Sequence, residues 1–166
     1  MKKIIAIFIA FSFIFSGAEA FAVSKSEAAE TDLTTPCGFS AKELSAGLLG
    51  ELSAFAEEFS EAEKKYGVNA LFLAAVAALE SGWGRYCFRP NNIFGWSGKS
   101  FGSKESCIDF VASKIAQHYL SEGGKYYRGK TVAGVNEFYN GSKLWEEKVA
   151  EIMAMISRRI ASAEEG

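Results

Sequence analysis

Along most of this chain the apolar residues recur at helical spacing, and one stretch stands apart because it is apolar without interruption. From Ala70 to Leu79 ten apolar residues run into Glu80, and Ser81-Gly82-Trp83-Gly84 follows with residues that turn a chain. An alanine- and leucine-rich run of this kind predicts a helix buried on every side, too short to span a bilayer. The flanking segments are amphipathic. Ser40-Ala41-Lys42-Glu43 reads as a capping box, and Leu44, Leu48 and Leu52 follow at helical spacing, with Gly47 and Gly50 shortening the helix. A second helix is predicted over about 55–66, with Phe55, Phe59, Ala62 and Tyr66 on one face and Gly67 as its stop. Ser103 looks like the N-cap of another, with Glu105 in its first turn and Ile108, Val111, Ile115 and Tyr119 as its buried stripe. Thr131 opens a short helix to about Tyr139, and Asn140-Gly141 turns the chain. The last helix, about 144–161, buries Trp145, Val149, Ile152, Ile156 and Ile160. Nothing alternates with period two for long, so the fold class read from the pattern is all-α, with at most a vestigial β-hairpin between Phe94 and Phe101.

The two ends of the pattern set the domain organisation. Lys2 and Lys3 precede an apolar run from Ile4 to Phe15, and Ala18-Glu19-Ala20 has the form of a cleavage site, so residues 1–20 read as a secretory signal peptide. The mature chain is then expected in the periplasm, cell wall or extracellular space, with no stable membrane insertion after cleavage. Residues 21–39 carry Ser, Glu, Ala and Thr with little to bury and read as a disordered spacer. One domain of residues 40–162 follows. At 166 residues, 49% hydrophobic and 23% charged, the chain is long enough for a real core. Loss of two lysines and one glutamate with the signal peptide moves the net charge from −2 to −3. A mildly acidic chain lacks the electrostatic footprint of a nucleic-acid binder, and a monomer is expected.

The candidate chemistry gathers after the apolar run. Glu80 falls on the last turn of a core helix, where desolvation and the negative helix end both disfavour the carboxylate and raise its pKa. A carboxylic acid that keeps its proton beside an aromatic loop is what general-acid cleavage of a glycosidic bond needs; the alternative is an ordinary Glu that closes a core helix. From Ser81 to Lys104 there is no acidic residue, but there are Trp83, Arg85, Tyr86, Phe88, Arg89, Phe94, Trp96 and Phe101, with Asn91-Asn92 and five glycines. Such a loop offers rings to stack on sugar faces and amides to bond hydroxyls, while some of its rings belong to the core. Gly123-Gly124-Lys125-Tyr126-Tyr127 is a second aromatic loop. In an oxidising compartment Cys37, Cys87 and Cys107 allow three pairings, each leaving one thiol over; Cys87–Cys107 is favoured because it would tie the loop after Glu80 to the next helix. No Cys/His spacing points to a metal, no cofactor is expected, and the single His118 is expected in solvent.

Taken together, Tyr66-Gly67-Val68-Asn69, the run ending in Glu80-Ser81-Gly82-Trp83-Gly84, Asn91-Asn92-Ile93-Phe94-Gly95, and Tyr139 with Trp145 and Lys148-Val149 resemble the bacterial β-N-acetylglucosaminidase domain of glycoside hydrolase family 73. The resemblance covers roughly 52–156. It implies a lysozyme-like helical fold with a cleft, and hydrolysis of the β-1,4 bond between N-acetylglucosamine and N-acetylmuramic acid in peptidoglycan, an activity of autolysins. Glycan strands would be the partner. By the same resemblance Glu80 is the catalytic acid, Tyr139 the cleft tyrosine, and Asn92, Phe94 and Gly95 the cleft wall; the aromatic loops themselves add Trp83, Asn91, Trp96 and Tyr126 as substrate-binding candidates. The chain departs from the family pattern in the short stretch from Gly95 to Ser103, which contains no carboxylate. Glu105, then Asp109, are the nearest candidates for a second acid, or the substrate's own 2-acetamido group takes that role. Two other readings stand beside this one: a muramidase or lytic transglycosylase, and a non-catalytic glycan-binding module.

Overall fold

A computed structural model of the chain describes residues 22–164, and the expected signal peptide lies outside the described residues. The helices are α1 (Lys25–Glu30), α2 (Ala41–Gly47), α3 (Ala56–Tyr66), α4 (Ala70–Ser81), α5 (Lys104–Ile115), α6 (Val132–Tyr139) and α7 (Lys143–Glu164). A 3-10 segment (Gly50–Phe55) leads into α3, a 3-10 turn (Trp96–Gly98) sits in the loop after α4, and a π-helical turn (Ala116–Leu120) prolongs α5. Among the described residues there is no β-strand, and the turn at Trp96 stands where a hairpin was conceivable. No helix among them is long and apolar enough to cross a membrane.

The central rod is α4. Asn69 caps it by accepting the Phe72 amide at 3.0 Å, and Gly82 stops it in the left-handed region at φ 55. Every residue from Ala70 to Ala78 is buried. Each large apolar side chain so enclosed contributes about 1.5–3 kcal/mol relative to exposure. The long α7 packs along α4 and also carries α1, α2 and α6, with Trp145, Val149, Met153, Ile156 and Ile160 turned inward and Ile152 only half-buried. Gly47 sets how near α2 comes to α7. A Cβ there would stand 2.7 Å from Ile160 Cγ1 and 2.9 Å from the Ile156 carbonyl. On the other flank α3 packs against α4 and α5.

Over residues 22–39 the structure corrects the reading of a disordered spacer, and residue 21 lies outside the described residues. Ser24 and Glu27 form a capping box for α1, which lies on α7, and Ala28 and Leu33 are completely buried. Backbone bonds anchor the segment across the chain: Leu33 N–H donates to the Lys130 carbonyl at 2.7 Å, Asn69 N–H to the Leu33 carbonyl at 2.9 Å, and Val23 N–H to Ser157 Oγ at 2.9 Å. Few apolar residues are needed when their neighbours' backbone groups are also satisfied by the domain.

Candidate active site

Glu80 occupies the last turn of α4, where the buried rod reaches the surface, and its side chain is half-buried. Desolvation raises its pKa, while a hydrogen bond from the Trp145 indole N–H to Oε1, at 2.8 Å, opposes the rise. The other carboxyl oxygen, Oε2, fronts Gly95. A Cβ on that glycine would lie 3.2 Å from Oε2, and its φ of 63 already favours glycine.

The loop that brings Gly95 to the acid is built by the paired asparagines. Asn92 is buried, donates to the carbonyls of Trp96 at 3.1 Å and Lys99 at 2.7 Å, and accepts the Trp96 amide at 2.9 Å. Asn91, at φ 58, donates to the Phe101 carbonyl at 3.0 Å. Both amides hold the loop's own backbone, and neither residue lines the cleft beside Glu80. Phe94 is a core ring whose carbonyl accepts the Tyr139 hydroxyl at 2.9 Å, so it contributes backbone to the site. Trp83 lies away from the cleft. Its ring packs on the core and its carbonyl accepts the Glu51 amide at 3.1 Å, beside Lys104, which bonds both Glu51 and the Gly84 carbonyl.

Above Glu80 opens a cleft of about 480 Å³. Of the residues singled out in the sequence, Glu80, Phe94, Gly95, Trp96, Tyr126 and Tyr139 line it, together with Ser97, Tyr119, Phe138 and Asn140, which sequence reasoning did not assign to a site. Tyr119 is buried, as its place in the apolar stripe predicts, and from the π-helical turn its ring lies against Tyr126 (5.1 Å) and Tyr139 (6.1 Å). Phe138, 45% exposed and next to Tyr139 on α6, tilts against Tyr126 at 5.5 Å. Trp96 meets Tyr139 edge-on at 6.0 Å. Burial, with the Glu80 charge next, lifts the Tyr139 phenol well above its ordinary range, so it stays protonated. The site is therefore one half-buried carboxyl under a wall of rings, with Ser97 and Asn140 as polar points. That suits an uncharged, ring-shaped ligand better than an ion.

Residues 56–158 match the glucosaminidase family, described as mannosyl-glycoprotein endo-β-N-acetylglucosaminidase. The chain belongs to the glucosaminidase family. It is also 33% identical over 146 residues to two Streptococcus pneumoniae proteins, from the serotype 4 strain TIGR4 and from strain R6, each provisionally named an endo-β-N-acetylglucosaminidase. The alignments take in 78% of this chain but 22% and 21% of those proteins, so the chain spans about a fifth of the length of these relatives.

Within this glucosaminidase domain the second-acid candidates do not join Glu80. Glu105 is exposed in the first turn of α5 and shares a different groove with Glu58, Glu61 and Lys65. A hydrogen bond with Ser103 lowers its pKa. Asp109 faces the same groove and is bonded by Lys65 at 2.6 Å and by the Tyr66 hydroxyl at 2.8 Å. Glu105, expected as a second catalytic acid, thus lies outside the cleft that holds Glu80: packing on α3 turns that face of α5 toward another groove.

The favoured Cys87–Cys107 bridge is also not formed, and all three cysteines are free thiols. Burial pushes the Cys107 thiol up to about 11. The Ile93 and Phe94 amides, directed at its sulfur, partly offset the rise. Cys107 thus supports the underside of the cleft loop. His118 is half-covered, edge-on to Tyr126 at 6.3 Å, rather than fully in solvent. Among the described residues no group of three or more His, Cys, Asp or Glu could hold a metal ion.

Proposed function

We propose that this chain is an exported peptidoglycan hydrolase that cuts the β-1,4 bond between N-acetylglucosamine and N-acetylmuramic acid, with Glu80 as general acid. The observation that carries the reading is that Glu80, half-buried at the tip of α4, is the one carboxyl group among the described residues lining the aromatic cleft. Family membership and the names of the pneumococcal relatives support the glycoside class. Export rests on the signal-peptide pattern of residues 1–20.

In this scheme Glu80 gives its proton to the glycosidic oxygen as the bond to the anomeric carbon breaks, and the electron pair leaves with that oxygen. The position of Glu105 outside the cleft favours the substrate's 2-acetamido oxygen as the group that attacks the anomeric carbon. Water then opens the cyclic intermediate and returns a proton to Glu80. Tyr139, whose proton is given to the Phe94 carbonyl, keeps lone pairs on its oxygen to face the positive sugar ring.

The test is digestion of purified peptidoglycan by the wild-type chain and by Glu80→Gln, followed by mass spectrometry. Wild type should release reducing N-acetylglucosamine ends, and the variant should be slower by roughly 10²–10⁴-fold with its fold intact. Reducing N-acetylmuramic acid or anhydro ends would transfer the chain to the muramidase or transglycosylase class. Binding without soluble product would make it a glycan-binding module.

A further inference from the structure

The acid has two oxygens in unlike surroundings, and the difference assigns its proton. Oε1 receives the Trp145 indole N–H at 2.8 Å, whereas Oε2 fronts the bare Cα of Gly95 on the cleft wall. An indole nitrogen donates and cannot accept. A carboxylic acid accepts best at its carbonyl oxygen and less well at its hydroxyl oxygen, so the protonated form that best keeps the contact has Oε1 as carbonyl and carries its hydrogen on Oε2.

We propose that Trp145 is the positioning residue of this site: its N–H reserves Oε1 as an acceptor and so delivers the Glu80 proton on Oε2, the oxygen beside Gly95, toward the bound glycan. The inference rests on the reading of Glu80 as the acid. Trp145 is able to do this because packing holds it in place. It is 5% exposed on the first turn of α7, and its ring lies against Tyr139 at 5.1 Å. Tyr139 in turn is tied to the Phe94 carbonyl on the same loop as Gly95. One hydrogen-bonded and stacked chain, Phe94 to Tyr139 to Trp145 to Glu80, therefore relates both walls of the cleft to the acid. The other ionisable groups lining the cleft are the phenols of Tyr119, Tyr126 and Tyr139, and among the described residues no cation lines it. The indole is thus the polar group the structure offers to Oε1, and it stabilises the ionised form of Glu80 while orienting the protonated one.

The experiment replaces Trp145 in the full chain by 3-benzothienylalanine, which keeps the bicyclic shape and exchanges N–H for sulfur, with Trp145→Phe beside it. Removing a donor to the carboxylate moves the alkaline limb of kcat/KM on peptidoglycan to higher pH. Loss of the fixed proton site lowers kcat at the optimum by roughly ten- to a hundredfold, with KM within about twofold. An alkaline limb that stays in place, or a loss confined to KM, would overturn the role. A ¹³C NMR titration of the Glu80 carboxyl reads the same effect without substrate: its midpoint should rise in the isosteric variant, and an unmoved midpoint overturns the inference. The Glu80→Gln digestion judges the function separately, so failure of the enzymatic reading and failure of the Trp145 role give different results.

Discussion

Gly95→Ala offers a direct measure of how tightly the acid is enclosed. The substitution carries two separable costs. At φ 63 and ψ 17 an alanine occupies the left-handed region, which costs about 1–2 kcal/mol for a residue with a Cβ. For a domain of this size that lowers Tm by roughly 2–8 °C. The second cost falls on the chemistry: the new Cβ lies 3.2 Å from Glu80 Oε2 and 3.8 Å from Cδ, so the carboxyl must retreat by a few tenths of an ångström. Retreat strains the 2.8 Å bond from Trp145, and a displaced acid should lose roughly tenfold or more in kcat. Gly98→Ala is the matched control, since Gly98 has φ 66 but nothing within 4 Å of an added Cβ. Thermal unfolding should show similar losses for the two variants, while turnover of peptidoglycan should fall in Gly95→Ala alone. Equal turnover in both would refute the placement of Oε2 against the cleft wall.

Leu33→Ala should destabilise the domain by about 2–5 kcal/mol in urea unfolding, because that side chain is completely buried; a loss under about 0.5 kcal/mol would return residues 22–39 to the status of a spacer. Glu105→Gln should leave peptidoglycan turnover within about twofold of wild type, and a hundredfold loss would restore Glu105 as a second acid. Glu80→Gln should alter the pH dependence of stability. Because burial raises the folded pKa of Glu80, its stabilising contribution is complete below the unfolded value near about 4.3 and is lost as pH rises through the folded value. The variant should therefore melt higher than wild type at pH 7, with the difference vanishing toward about pH 4. A variant less stable than wild type at pH 7 would contradict the desolvation of Glu80.

Much of the helical framework was legible because its signals are local. The capping box at Ser40, the left-handed stop at Gly67 and the apolar run from Ala70 each act within a turn or two of themselves, and the structure forms helices at all three. The candidate site was legible only in part. Glu80 and the rings of Trp96, Tyr126 and Tyr139 meet at one cleft, but Asn91 and Asn92, whose amides look equally suited to sugars, are consumed by carbonyls of their own loop. Phe138 went unread, and Tyr119 was read only as a buried position, because helical periodicity cannot register a ring that a cleft leaves at the surface or the cleft that a buried ring borders.

The sequence by itself determined where helices start and stop, that one of them is buried all round, and that a carboxyl group closes it. Only tertiary structure decided what each side chain faces. Trp145 reads as one more apolar position on α7, yet its N–H meets an oxygen 65 residues away. Glu105 reads as the nearest second acid, yet the packing of α5 on α3 turns it to another groove. Periodicity records the phase of a residue around its own helix axis; the rotation and approach of the helices, which set burial and hydrogen-bond partners, depend on the whole core packing at once.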